Sequence, residues 1–176
     1  MSILSNKQLD ELAGFDTPTI CNALERFKLR KSTEGFMHPG IRAVFPERKP
    51  TVGYACTAKV SAQHPPTEEQ KALLFDYYQS VIDSSGRPVA VIEDLDDSPV
   101  GSFWGEVQAT VHKSIGCSGV ITNGGVRDLD EVRALDFSYF SSCVLVSHGY
   151  IHVESVGEPV RIGGLLIRPG DLMHAD

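Results

Sequence analysis

The chain has 176 residues, with 41% hydrophobic and 22% charged residues, the size and composition of one soluble domain, and this excludes disorder, collagen or coiled coil as whole-chain descriptions. Sixteen Lys and Arg stand against 23 Asp and Glu, a formal charge of −7, which opposes a nucleic-acid partner or an anionic membrane, since both need clustered positive charge. No apolar run nears the ~18 residues that cross a bilayer, and Met1 to Lys7 lacks the basic start and apolar core of a signal peptide, so the expected location is the cytoplasm. Cys21, Cys56, Cys117 and Cys143 lie far apart with no Cys-x-x-Cys pair, and they read as reduced thiols rather than a zinc ribbon or disulfide framework.

In chain order, the first 30 residues predict two helices, one from about Asn6 to Ala13 and one opening after Asp16-Thr17-Pro18 and running toward Phe27. Asp or Thr caps the second, and Pro suits its first turn. Residues 29 to 52, rich in Lys, Arg, Gly and Pro, read as an irregular connection. A strand follows from Gly53 to Val60. After Pro65 and Pro66, a helix from Glu69 to about Ile82 places Leu74, Tyr78, Val81 and Ile82 on one face. Pro88 to Ile92 is continuously apolar, as in a strand covered on both faces. Glu93 to Asp97 reads as a solvated acidic loop. Val107, Val111 and Ile115 stand four apart in a helix from Glu106 to Ile115, which predicts one buried stripe.

Gly116 stops that helix. Ser118 to Thr122 is another buried strand, Asn123-Gly124-Gly125 a tight turn, Asp128 to Leu135 a short helix and Ser142 to Val146 a strand. The remainder is β-rich and ends in the turn Arg168 to Asp171. Alternating strands and helices predict an α/β core with parallel pairing, in a single domain of residues 1–176 with the helical segment 1–30 packed on it. The β-rich tail forms either a second sheet or a barrel-like layer.

Two features carry chemistry. Gly105-Glu106-Val107-Gln108 opens a helix, where backbone N–H groups lack partners and hold a small carboxylate or phosphate with help from the helix dipole. Arg127 and Asp128 follow a strand and a glycine turn, where open α/β sheets bind ligands. Arg127 offers a planar fork to a carboxylate or enolate oxygen, and Asp128 an oxygen to a hard divalent cation. Local structure alone accounts for the same residues: Asp128 as cap of the next helix, Arg127 paired with Glu131, and Glu106 favoured by the dipole.

The spacing of Glu106, twenty residues, Arg127-Asp128, two residues and Glu131 resembles the class II pyruvate aldolases, which cleave 4-hydroxy-4-methyl-2-oxoglutarate or 4-carboxy-4-hydroxy-2-oxoadipate. These share a superfamily with the regulators of ribonuclease activity. Asp16 to Leu24, Gly101 to Glu106, Gly119 to Asp128 and Pro169 to Asp176 extend the resemblance over nearly the whole chain. It implies an α/β/β/α sandwich of the swivelling-domain type, assembled as a homotrimer or hexamer.

The resemblance also implies site roles. Asp128 would bind Mg²⁺ or Mn²⁺. Arg127 would contact the keto oxygen and stabilise the enolate. The backbone at Gly105, Glu106, Val107 and Gln108 would hold the substrate carboxylate. Glu106 stands where the family usually has Asp, Asn22 where many members have Asp, and members usually continue past Asp176 through a strand and a C-terminal helix. The implied activity is pyruvate release from 4-hydroxy-2-keto diacids, with oxaloacetate decarboxylation through the same enolate and Glu106 or a cation's water moving the proton. The other reading is a non-catalytic regulator that binds a ribonuclease or another protein. Asp128 favours the enzyme, because the regulators commonly lack an acidic residue after the Arg.

Further candidates read as structural. His148 and His152 share a strand face and with His174 make a weak zinc trio. His112 reads as a hydrogen-bonded core histidine. No serine elbow, dinucleotide fingerprint or P-loop is present.

Overall fold

The computed structural model describes residues 3–176; Met1 and Ser2 lie outside it. Ser5 and Gln8 form a reciprocal capping box that starts α1 (Asn6–Leu12), and Leu9 anchors this helix in the interior. Asp16 accepts the Thr19 N–H at 2.7 Å and opens α2 (Thr17–Glu25), with Pro18 in its first turn. That helix ends at Glu25, short of Phe27, and none of its residues is buried.

The connection after it contains one short strand, β1 (Arg42–Ala43). The strand expected at Gly53 to Val60 is longer, β2 (Thr51–Ser61). Thr67 and Gln70 form a second capping box, at the start of α3 (Glu68–Ile82). Its buried face is Tyr77 and Val81, whereas Ile82 is 54% exposed. The helix is turned so that the Tyr77 ring joins Phe103 and His112, 6.4 and 5.4 Å away between centroids.

β3 (Pro88–Asp94) takes in Glu93 and Asp94, so the acidic run is not a solvated loop. Asp94 is buried, and Asp96 accepts from Ser61 Oγ at 2.7 Å and the Ala62 N–H at 3.0 Å. α4 (Glu106–Ser114) buries Ala109 and His112, not the predicted stripe; Val107 is 71% exposed. The Trp104 ring packs at a tilt against His112, 4.5 Å between centroids, and sets that rotation. The His112 ring reaches the Gln108 carbonyl at 2.7 Å, as a core histidine should.

β4 (Gly119–Thr122), β5 (Gly125–Val126) and α5 (Leu129–Ala134) follow. The strand expected at Ser142 to Val146 lies earlier, as β6 (Ser138–Ser141), with only β7 (Cys143–Val144) remaining of the predicted run. The Tyr139 and Phe140 side chains are buried on opposite faces of the sheet, whereas Val146 is almost fully exposed. The tail folds as β8 (His152–Val156), β9 (Val160–Ile162), β10 (Leu165–Ile167) and β11 (Leu172–Ala175).

β2, β3, β4 and β6 pair in parallel as the core of a seven-stranded sheet. β1 adds to β6, while β11 and β8 pair with the two halves of β2, all antiparallel. The tail therefore both extends the sheet and, as the β9–β10 hairpin, covers one face over Val89, Val91 and Ile121. α2 shares a cleft with Leu165, Ile167 and Met173 on that side. The other face, with Ala90, Ile92 and Val120, packs in one core with Tyr77 and Val81 of α3, Ala109 of α4 and Val132 of α5. This is the expected α/β/β/α sandwich with a parallel core and a β-rich second layer.

Candidate functional site

The carboxyl ends of the parallel strands, where exposed peptide groups and loops meet, position the site. After β4 the chain turns through Asn123 and Gly124, runs through β5 and delivers Arg127 and Asp128. The Arg127 N–H donates to the Trp104 carbonyl at 2.9 Å, tying this segment to the residues that open α4.

Asp128 has φ 56° and ψ 48°, the left-handed region; such a conformation at a non-glycine residue costs about 1–3 kcal/mol. Its side chain makes no capping bond to α5. Instead Oδ2 accepts the Glu106 N–H at 2.9 Å, with Arg127 Nε 3.7 Å away. Among the described residues Arg127 makes no ion pair with Glu131. The capping and pairing reading of this dipeptide therefore does not hold, because the backbone turns the carboxylate across to α4.

Gly105 makes that approach possible. A Cβ there would collide with Asp128 Oδ2 and lie 3.0 Å from Arg127 Nε. The Gly105 carbonyl accepts from the Tyr139 hydroxyl at 3.1 Å, and burial pushes the Tyr139 phenol well up, so it remains a donor. Of the four predicted anion-holding amides, that of Glu106 is engaged by Asp128, leaving Gly105, Val107 and Gln108. Gln108 is braced by the Tyr78 hydroxyl at 2.9 Å.

Gly105, Val107, Gln108 and Arg127 line one cavity of about 360 Å³, within the usual small-molecule range. Arg127 Nε is a buried donor without a hydrogen-bond partner. Glu106 and Asp128 meet beside Gly105 but do not line this cavity. Lys71, His148 and His152 do. The sequence offered the two histidines only as a zinc candidate, and nothing in the α3 pattern singled out Lys71. A larger cleft of about 790 Å³, by Tyr54, Cys56 and Gly170, contains none of the predicted residues.

The zinc trio does not form. His174 bonds Thr17 and Leu12, at 2.8 and 3.1 Å, on the α2 side. Among the described residues no three His, Cys, Asp or Glu side chains cluster as metal ligands. A magnesium-like ion needs less, since it keeps several waters and takes one or two carboxylates. No hydrogen bond among the described residues uses Asp128 Oδ1, which leaves that carboxylate oxygen open to such an ion.

Two further groups are perturbed nearby. Burial raises Asp94 to about 6, against the Asp96 N–H that lowers it. Burial lowers His112 to about 4.

Residues 17–176 match the family RraA-like, Aldolase/RraA. The chain belongs to the RraA-like family. A Halalkalibacterium halodurans relative called "Putative 4-hydroxy-4-methyl-2-oxoglutarate aldolase" is 26% identical over 177 residues, 98% of this chain and 76% of that one. DlpA of Legionella pneumophila is 24% identical over 110 residues; the match takes 61% of this RraA-like chain but only 18% of DlpA. Streptomyces coelicolor RraAS2, described as an unusual member of the RNase ES inhibitor RraA protein family, aligns with a TM-score of 0.74 and 22% identity over 100% of this chain and 83% of its own. That likeness is one of fold. Among the described residues no helix of this RraA-like chain is long and apolar enough to cross a membrane.

Proposed function

We propose that the chain is a carbon–carbon lyase that releases pyruvate from 4-hydroxy-2-keto diacids and decarboxylates oxaloacetate through the same enolate. The observation that carries this reading is that Arg127, ion-paired to Asp128 through its buried Nε and with about a third of its side chain exposed, lines a cavity also lined by the open turn of α4. Gly105, Val107 and Gln108 present amides to the substrate carboxylate. Arg127 takes the C2 oxygen, whose charge grows as the enolate forms, and a preorganised donor is worth most where charge develops. Asp128 is assigned the divalent cation, Mg²⁺ or Mn²⁺, which when bound would supply Lewis-acid polarisation. The basic Lys71 wall suits a substrate with a second carboxylate.

The test is pyruvate release, coupled to lactate dehydrogenase, from oxaloacetate and from branched 4-hydroxy-2-keto diacids. Arg127→Ala should abolish it, and retained turnover would refute the role of Arg127. Chelation should stop turnover and Mg²⁺ or Mn²⁺ restore it; indifference to metal would remove Asp128 from the reaction.

A second reading, a protein-binding regulator, draws on the RNase inhibitor description of RraAS2 and on the open apolar face near α2, where Phe27 is 70% exposed. Capture of a ribonuclease, with no pyruvate from any keto acid, would favour it.

A further inference from the structure

The pyruvate-releasing reaction needs a base for the substrate hydroxyl, and the cavity wall restricts which residue can serve. No Asp or Glu lines the cavity that Arg127 shares with α4. Lys71, as an ammonium on Glu68 at 2.6 Å, and Arg127 are donors only. His152 has both ring nitrogens engaged, by the Tyr150 carbonyl at 2.8 Å and Glu154 at 2.9 Å. Ser102 Oγ donates to the carbonyls of Trp104 and Gly125, both at 2.8 Å.

His148 is different. Its Nδ1 faces the Gly149 carbonyl at 2.7 Å. A carbonyl only accepts, so Nδ1 carries the hydrogen and the neutral ring keeps its lone pair on Nε2. No hydrogen bond among the described residues uses that Nε2. The loop bearing it is held against the segment entering α4. The Ser102 N–H donates to the Ser147 carbonyl at 2.9 Å, and the Ile151 N–H to the His148 carbonyl at 3.0 Å. At Gly101 a Cβ would collide with the His148 carbonyl, so only glycine allows this approach.

We infer that His148 is the general base for carbon–carbon cleavage, an inference that rests on the lyase reading above. Nε2 takes the proton of the C4 hydroxyl. The freed oxygen pair forms the C4 carbonyl, and the C3–C4 bond breaks. Its electrons form C2=C3, while the C2=O π pair moves onto the oxygen held by Arg127. Water protonates C3 of the enolate, and the imidazolium returns its proton to solvent. Oxaloacetate has no hydroxyl to deprotonate, so its decarboxylation bypasses His148.

The experiment compares two substrates with the full chain: 4-hydroxy-4-methyl-2-oxoglutarate and oxaloacetate. In His148→Ala, kcat for the hydroxylated substrate should fall about a hundredfold or more, the range of a lost general base, and by a far larger factor than kcat for oxaloacetate. Added imidazole should restore part of the lost rate. His148→Gln, closer in size and polarity, should show the same split and guards against a folding defect in the alanine variant. Equal losses on both substrates, or no loss on the hydroxylated one, would overturn the role of His148. Wild-type protein that releases pyruvate from neither substrate would overturn the lyase reading, and this inference with it, before any variant is made.

Discussion

Asp128 couples backbone strain to site geometry. Its left-handed backbone aims the carboxylate at the Glu106 amide instead of at its own helix. Asparagine tolerates that conformation and still accepts a hydrogen bond. Asp128→Asn should therefore unfold within about 1 kcal/mol of wild type, as expected of a swap that adds no clash or buried orphan, yet lose pyruvate release because the anionic oxygen is gone. Urea unfolding and the coupled assay check the two halves; full activity in the variant would detach the carboxylate from the chemistry. Gly105→Ala is the opposite case. The added methyl meets Asp128 Oδ2 and crowds Arg127 Nε, and overpacking of this kind costs about 1–3 kcal/mol. Both stability and turnover should drop; an alanine variant with wild-type turnover would show that the close approach is not needed. The sequence singled out Gly105 and Arg127 by a glycine before a helix and an arginine after a glycine turn, although a helix start and an Arg127–Glu131 pair accounted for the same pattern. The αL backbone of Asp128 was not legible, since local spacing equally allows a cap.

α4 and β3 carry two buried titratable groups whose effects on stability oppose each other. His112 on α4 is held near 4 instead of the ordinary 6.5 by burial. The unfolded chain therefore takes up that proton first, and stability is lost as pH falls from about 6.5 to 4, by about 3 kcal/mol in order of magnitude. Asp94 at the end of β3 is raised from 3.8 to about 6, again by burial. The folded chain takes up that proton first, so stability is gained as pH falls from about 6 to 3.8, by a similar amount. In wild type the two largely offset. Asp94→Asn removes the gain and should lose stability more steeply on acidification, read as the difference in urea unfolding free energy between pH 7 and pH 4.5. A variant whose loss over that interval equals that of wild type would contradict the assignment. Most elements could be read from the periods 3.6 and 2 with Gly and Pro as punctuation. The face of α4 could not, because it is set by Trp104, outside the helix. Nor could β6, where two adjacent aromatics bury on opposite sides of the sheet while the valine-rich run after it faces solvent.

For the whole molecule, the parallel α/β core followed from alternating elements and the α/β/β/α layer order from the family resemblance, but the division of the tail between sheet and hairpin depends on the length of β2, which pairs with two tail strands at once. The cavity wall was the least legible part. Lys71 and His148 come from elements far apart in sequence, so only their convergence reveals them. The exposed surface carries a prediction of its own. Phe27 and Leu29, 70% and 78% exposed, stand beside an α2 with no buried residue. Exposed apolar side chains of this size suit an association surface, and we expect a closed homotrimer or hexamer. Sedimentation velocity should show the assembly, and the double replacement Phe27→Lys and Leu29→Lys should shift it toward monomer; a wild-type monomer at all concentrations would contradict this.

The central claim is that the Arg127 guanidinium and the first amides of α4 grip one small planar anion. Isothermal titration with oxalate, a stable mimic of the pyruvate enolate, in the presence of Mg²⁺ tests it most directly. Wild-type protein should bind one oxalate per chain, and Arg127→Ala should lose that binding. Equal affinity in the two proteins, or no binding by wild type, would contradict the account.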